Sequence, residues 1–548
     1  MLVLGTNRCD NLGRASQSTS MIDDVRSSLG EWKAARALLS SALQSYLTAC
    51  NNLTTTCTRP AHLPSERSAV DEALVVVDSE LGTLASEIHS LRTSHISMCA
   101  LRNRSGKLTR INILPPEVLR HIFRLSNVYC VRHSRVRKCY NALSQVDMYW
   151  RQVALNTPEL WTHVDVIPDT VDRTMYGLSS LMLERSKGEM IHLHVYSPRD
   201  GSFRNGLQER DLKKFISPIL SRVVTLHLES DTSASRFLSL VMGLWEKIGI
   251  ASIKHLFIRV SNDSFVSHFN ISWAQGLPER ASHIHLQTLH LQNATLNWRH
   301  VTFHNLVDFR LGRTIDTGIS MDITQLAATL SASPKLAILK LCNVSIGRRD
   351  TTETPLVALD SLQVLNLVKL DAEPLQLVLS LIDQPNPFAQ LSVGLMLYDD
   401  KRSLADYRAF FSRCHISTLY LESPAEHLSL PCLPSGLSHL IIFQSDLSQP
   451  PFIHEPKGQS QPRAIVYVTL VSCVVTLEGL VSLVAETGAQ VLNLDCCLMD
   501  RLMDAEGMMN SDCEEARSGL LEVYPDLVCN ISDVDTSAQL DCRTMFDD

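Results

Sequence analysis

The sequence predicts a mixed α and α/β protein built in series: an N-terminal helical pair, a small all-α module, and an irregular α/β solenoid. Three observations predict it. The first hundred residues carry apolar side chains at helical spacing on polar segments. The second half repeats a short apolar strand motif at a period of a few tens of residues. Between them lies a proline-initiated amphipathic segment. The 548 residues are 45% apolar and 20% charged, which excludes a mainly disordered, collagen-like or purely coiled-coil chain.

Residues 1–20 read as a polar, disordered lead. Residues 21–101 read as a helical hairpin or coiled coil. Ile22, Val25, Leu29, Trp32, Ala35, Leu39, Leu43 and Tyr46 form a narrow stripe on the first helix, and Val70, Leu74, Val77, Leu81, Leu84, Ile88 and Leu91 form one on the second. A loosely docked amphipathic pair fits the same stripes. Residues 51–66, NNLTTTCTRPAHLPSE, read as the linker, with Ser65 as the cap of the second helix. From Leu101 to Lys138 ten Lys and Arg stand against the single acid Glu117. Such a run is a solvated helix face or an electrostatic attractor for an acidic partner. Few aromatics interleave it, so nucleic acid is not the expected partner.

From Val166 onward segments of the form L-x-x-L-x-L recur, among them VVTLHLES, IKHLFIRV, LQTLHLQNATL, KLAILKLCNVSI and AQVLNLDCC. Their last apolar anchors are Leu228, Ile258, Leu291, Leu311, Leu341, Leu367, Leu397, Leu421, Ile442, Leu470 and Leu494, at steps of 20 to 33 residues. That spacing fits a leucine-rich-repeat-like solenoid over 166–499, in which each short strand points alternate apolar residues inward and stacking covers them. Asn293 and Asn343 are placed to satisfy backbone groups where the chain turns away. Ile323–Leu330, Leu375–Ile382 and Leu477–Val484 read as helices on the outer side. An ordinary α/β domain with parallel strands is the alternative. Residues 448–462, with four Pro, read as an inserted loop, and residues 500–548, 13 acids against three Arg, as an acidic solvated tail with a short helix near Glu514–Val523.

Signatures of chemistry are sparse. Walker, dinucleotide, zincin and serine-elbow motifs are absent from the sequence, so no enzyme activity and no cofactor are expected. The 15 cysteines include no C-x-x-C pair and are odd in number, which argues against a disulfide scaffold or zinc site and for a reducing cytoplasmic or nuclear setting. His192 with His194, and His283 with His285 and His290, are the histidine groups considered for metal. His285 and His290 read instead as solvent-facing strand positions, and no metal is expected. The apolar run Ala464–Ala485 is broken by Glu478 and Gly479 and reads as a buried strand followed by a helix, so no membrane association is expected.

The segment INILPPEVLRHIF places Pro at the first turn of a helix and Glu117 where the helix dipole favours an anion. Val118, Leu119, Ile122 and Phe123 make its apolar side. Downstream, ALSQVDMYWRQVALNTPELW carries Leu143, Val146, Trp150, Val153 and Ala154 at helical spacing, then Trp161. Together these resemble the F-box as it stands in fungal F-box proteins. The start matches at Leu114, Pro115, Glu117, Val118, Leu119, Ile122 and Phe123, and the close at Thr157, Pro158, Leu160 and Trp161. The middle departs at Asp147, where Cys is usual, and at Met148 and Tyr149, where basic residues are common.

The resemblance places an F-box at 108–165. It implies a substrate-recognition adaptor of a Skp/cullin/F-box ubiquitin ligase, which binds a Skp-type adaptor, through it a cullin, and an unidentified substrate protein on the repeats. Adaptor-facing or core roles fall to Leu114, Pro115, Glu117, Leu119, Ile122, Phe123, Leu143, Val146, Trp150 and Val153. The alternative is a leucine-rich-repeat scaffold whose F-box is degenerate, with Asp147 as the observation in its favour.

Overall fold

A computed structural model describes residues 11–59, 63–103, 105, 107–132, 142–166, 176–196, 206–231, 241, 243, 253–261, 269–271, 283–296, 298, 302–314, 321–348, 355–386, 391–396, 401–422, 433–434, 436–447, 465–499 and 509–532. The expected loop at 448–462 lies outside these residues. The chain divides into two compact units, Met1–Ile113 and Leu114–Asp548.

The first unit holds two long helices, α1 (Asn11–Cys57) and α2 (Pro64–Asn103). The first begins inside the expected polar lead, where no proline stops helix propagation. It also runs through the Thr-rich stretch assigned to the linker. Thr55 and Thr56 donate their hydroxyls to the carbonyls of Asn51 and Asn52 at 2.7 and 2.8 Å, which settles these polar groups without breaking the helix. The second helix starts one residue before the expected cap. Pro64 takes the first position, and the backbone N–H of Leu63 donates to Glu66 Oε2 at 3.1 Å. No side chain described in this unit is buried.

The second unit begins with α3 (Pro116–Arg132) and α4 (Met148–Leu155), followed by a short 3-10 turn at Pro158–Trp161. A parallel sheet follows. Its strands are β1 (His163–Val166), β2 (Ile191–Tyr196), β3 (Val223–Asp231), β4 (His255–Ser261), β5 (Thr288–Gln292), β6 (Asp308–Thr314) and β7 (Ile338–Val344). They continue as β8 (Val364–Leu367), β9 (Leu391–Met396), β10 (Ile416–Glu422), β11 (His439–Phe443), β12 (Tyr467–Val471), β13 (Val491–Asp495) and β14 (Val528–Ser532). These 14 strands lie side by side in chain order.

Register explains why the pattern repeats. Val164, Leu193, Leu226, Leu256, Leu289, Phe309 and Leu339 pair successively across neighbouring strands and are all buried. Leu365, Val393, Leu419, Leu440, Val468, Leu492 and Cys529 continue the row. Each fully buried aliphatic side chain contributes about 1.5–3 kcal/mol relative to exposure.

Helices α5 (Gly177–Arg185), α6 (Gly206–Ile216), α7 (Ile323–Ser331), α8 (Ala372–Leu381), α9 (Lys401–Arg413), α10 (Leu477–Thr487) and α11 (Met509–Val523) add their apolar residues to the same core. Local chemistry sets their ends. Asp322 and Gln325 form a capping box on α7, Thr476 caps α10 through the N–H of Gly479, and Gly488 closes α10 at φ 63°. Gly479 is obligatory because a Cβ there would collide with the Leu447 carbonyl.

At or just past the strand end, several units turn through a left-handed residue: Asn293, Asn343, Lys369, Gln444, Ser472 and Cys496 have φ of 48–63°. The Asn293 amide also donates to the Val260 carbonyl at 2.7 Å, as its turn role requires. The apolar run at Ala464–Ala485 divides into β12 and the start of α10, and among the described residues no helix is long and apolar enough to cross a membrane.

The structure moves three boundaries. The helical module does not stand apart from the sheet. Leu119, Phe123, Val153, Ala154, Leu160 and Trp161 share one core with Val164 and Val166 of β1, so the first strand lies within the segment given to the module. The acidic tail is not wholly solvated, because α11 and β14 extend the sheet and bury Leu520, Leu527 and Cys529. In β9 the inward anchor is Leu395 rather than Leu397, because Leu395 pairs with Leu367 and Leu421.

Candidate functional site

Two surfaces carry the candidate residues. The first is the helical module. Leu119, Phe123 and Val153 are core, while Leu114, Leu143 and Trp150 pack partly buried against it, the Trp150 ring 5.0 Å from that of Phe123. Pro115, Glu117, Ile122 and Val146 are exposed.

Helix α3 therefore has two apolar stripes. Leu119 and Phe123, four residues apart, are buried. Val118, Ile122 and Leu125, at steps of four and three, face water at 43, 38 and 59% exposure. The sequence reading did not single out Leu125 or the exposed Met148; continuing the helical spacing from Ile122 would have found Leu125.

Two of the three departing positions of the middle helix, Asp147 and Tyr149, have structural work. Asp147 is the N-cap of α4, accepting from the Trp150 N–H at 2.8 Å, a role for which Asp is among the best residues. Tyr149 donates its hydroxyl to the Leu114 carbonyl at 2.8 Å and ties α4 to the entry of α3. The close of the motif is fixed by Trp161, whose indole N–H donates to the Ala154 carbonyl at 2.9 Å with the Arg185 guanidinium 4.4 Å over its ring.

The second surface is the sheet face turned away from the helices. One row runs His163, His192, Thr225, His255, Thr288, Asp308 across β1 to β6. A second runs Asp165, His194, His227, Phe257, His290, Arg310, Lys340, Asn366 across β1 to β8. Rings of His163 and His192 stack at 4.4 Å, and His194, His227, Phe257 and His290 follow at 5.2, 5.7 and 4.7 Å. Burial disfavours the protonated form of His163 and His227. It pushes His163 down to about 3, with His192 adding, and His227 down to about 4, with Arg259 and His290 adding. His192 and His255 are lowered too, chiefly by burial, and each shares a hydrogen bond with a threonine on the next strand, at 2.9 and 3.0 Å.

Next to the imidazoles sits a charged cluster. Asp308 accepts Arg310 Nε and Nη2 at 2.9 and 2.8 Å and lies 3.0 Å from His290 Nε2. Burial alone would raise its carboxyl, but the hydrogen bonds from His290 and Arg310 outweigh this and hold it below the usual carboxylate value. His290 is thus buried and paired, not solvent-facing, because the adjacent strand supplies a carboxylate. The side chains of His283 and His285 lie outside the described set. Beyond Asn366 Val368, Tyr420, Ile441, Phe443 and Val471 form an apolar cluster of their own, after which the row is polar again at Thr469, Asn493 and Asn530.

Among the described residues no three His, Cys, Asp or Glu side chains gather as a metal site requires, and the imidazoles are placed instead for stacking and hydrogen bonding. No protein-family model and no curated protein matches the chain.

Proposed function

We propose that this chain is a substrate-recognition adaptor of a Skp/cullin/F-box ubiquitin ligase, with no catalytic chemistry of its own, acting in the cytoplasm or nucleus. The small helical module is read as the F-box and the 14-strand parallel array as a leucine-rich-repeat-like solenoid. One observation carries the reading. A helix bearing the F-box-like residues uses one apolar stripe for the core and leaves a second, Val118, Ile122 and Leu125, in water. That second stripe is the docking face for the Skp-type adaptor. Arg120 and Arg124 on the same helix favour encounter with an acidic partner, chiefly through the association rate. The sheet face turned away from the helices, where His192, His194, Thr225 and His255 are half-buried, takes the substrate protein.

Asp147 as the N-cap of α4 gives that departure a local role in the module's fold. The test is capture of the purified full chain by a Skp-type adaptor beside the double substitution Ile122→Glu, Leu125→Glu. Both side chains are exposed, so the expected outcome is at least tenfold weaker capture with an unchanged unfolding temperature. No capture by the parent chain would leave the scaffold reading in its place.

A further inference from the structure

Helices α1 and α2 carry a pattern that neither the sheet nor the adaptor reading needs. From Ile22 to Cys57 the seam positions of α1 advance by alternating steps of three and four residues without a slip, and those of α2 do so from Val70 to Arg102. Each seam is about 50 Å long at ~1.5 Å per residue. An unbroken three-four alternation of this length fits another helix, whose side chains interlock with it as knobs in holes, and not a strand or an extended peptide. Most of the apolar seam side chains, among them Ile22, Trp32, Leu43, Leu81 and Leu91, stand 41–60% exposed, while Val70, Val77 and Leu84 are half-buried. Helices of this length without a core are marginal in water, so something must cover the seams.

Charge and area select the occupant. Arg26 and Lys33 flank the α1 seam, while Asp71, Asp78, Glu80 and Glu87, against the single base Arg92, flank the α2 seam. The basic-flanked helix therefore matches the acidic-flanked one, and the same acids disfavour an anionic membrane surface. Roughly a dozen large seam side chains per copy each leave on the order of 50 Å² in water. Two copies would then bury on the order of 1,300 Å², within the ~1,200–2,000 Å² of a stable interface.

We propose that a second copy of this chain covers the seams, the two helical pairs closing into a four-helix bundle with α1 of one copy antiparallel to α2 of the other. Arg36, the one charge within the α1 seam, fixes the register. This interface is independent of the adaptor reading, which can fail without affecting it.

The experiment is sedimentation equilibrium of the full chain from 1 to 50 μM. The expected mass is about 122 kDa, twice the 61.2 kDa of one chain. Leu39→Glu with Leu43→Glu should give the single-chain mass while the thermal transition of the sheet unit stays in place. Arg26→Glu with Lys33→Glu, on water-facing positions that leave each helix intact, should raise the dimer Kd at least tenfold, and Asp71→Lys with Asp78→Lys, on the side of α2 that an antiparallel partner turns toward them, should restore it. A monomeric parent at 50 μM, which would leave the seams to a helix of another protein, overturns the proposal. So does a dimer that survives both disruptive pairs.

Discussion

The sheet face turned away from the helices carries two chemistries on one backbone register. Over β1 to β7 it holds stacked imidazoles, threonines and the Asp308, Arg310 and Lys340 charges; from β8 to β12 it holds the apolar cluster Val368, Tyr420, Ile441, Phe443 and Val471, with Thr469, Asn493 and Asn530 following Ile441 in one row. The helix-facing rows show no such division, being apolar from Val164 to Cys529. The difference teaches where the fold constrains the sequence. Rows that meet the helices must be apolar in every unit, whereas rows on the other face are free to differ and can encode a partner.

Acidification should separate the two halves most strongly. His163 and His227 have folded-state pKa values below the unfolded value of about 6.5, so at these groups the unfolded chain binds protons first. Their stabilising contribution is complete above pH ~6.5 and falls as pH drops toward the folded values of about 3 for His163 and about 4 for His227. A loss on the order of 5 kcal/mol by pH 4 is expected from urea unfolding, and His163→Gln with His227→Gln should remove most of that pH dependence. An unfolding midpoint flat from pH 7 to 4.5 would contradict the buried neutral ladder.

The apolar half should be the more sensitive to truncation. Tyr420, 1% exposed, is expected to cost about 3–5 kcal/mol on replacement by Ala, and half-buried Phe257 less than half as much. Equal losses by thermal unfolding would erase the distinction. Asp308→Ala removes the bidentate carboxylate from a buried guanidinium and should cost about 3 kcal/mol, while Asp308→Ala with Arg310→Met together should recover part of it. Smallest is the turn. Lys369 holds φ 63°, which Asn tolerates better, so Lys369→Asn should stabilise by about 0.5 kcal/mol in chemical denaturation.

Much of the sheet was legible in advance because burial enforces a repeated pattern. Ten of the eleven anchors from Leu228 to Leu494 sit in one inward row, and the strand and helix split of residues 464–485 follows its change from β-branched to helical spacing. Strands β1, β2 and β14 escaped because HVDV, IHLHVY and VCNIS alternate without the L-x-x-L-x-L signature. Within the module, the motif residues were found as a set, but their division into Leu119 and Phe123 inside and Ile122 outside depends on which side of α3 meets Trp150 and Trp161. Asp147 looked like a departure because a capping role requires knowing where a helix begins.

Periodicity alone determined that this chain makes long heptad-spaced helices and then a stacked array of parallel strands, since spacing of apolar residues fixes which backbone geometry can bury them. Only the tertiary structure decided that Asp308 stands beside His290 and Arg310, that His163 stacks on His192, and that the last acidic segment completes the sheet. The contacts of His290 with Asp308 and of His163 with His192 join neighbouring strands through their register, and register is set by the packing of the whole core, a property no single segment carries.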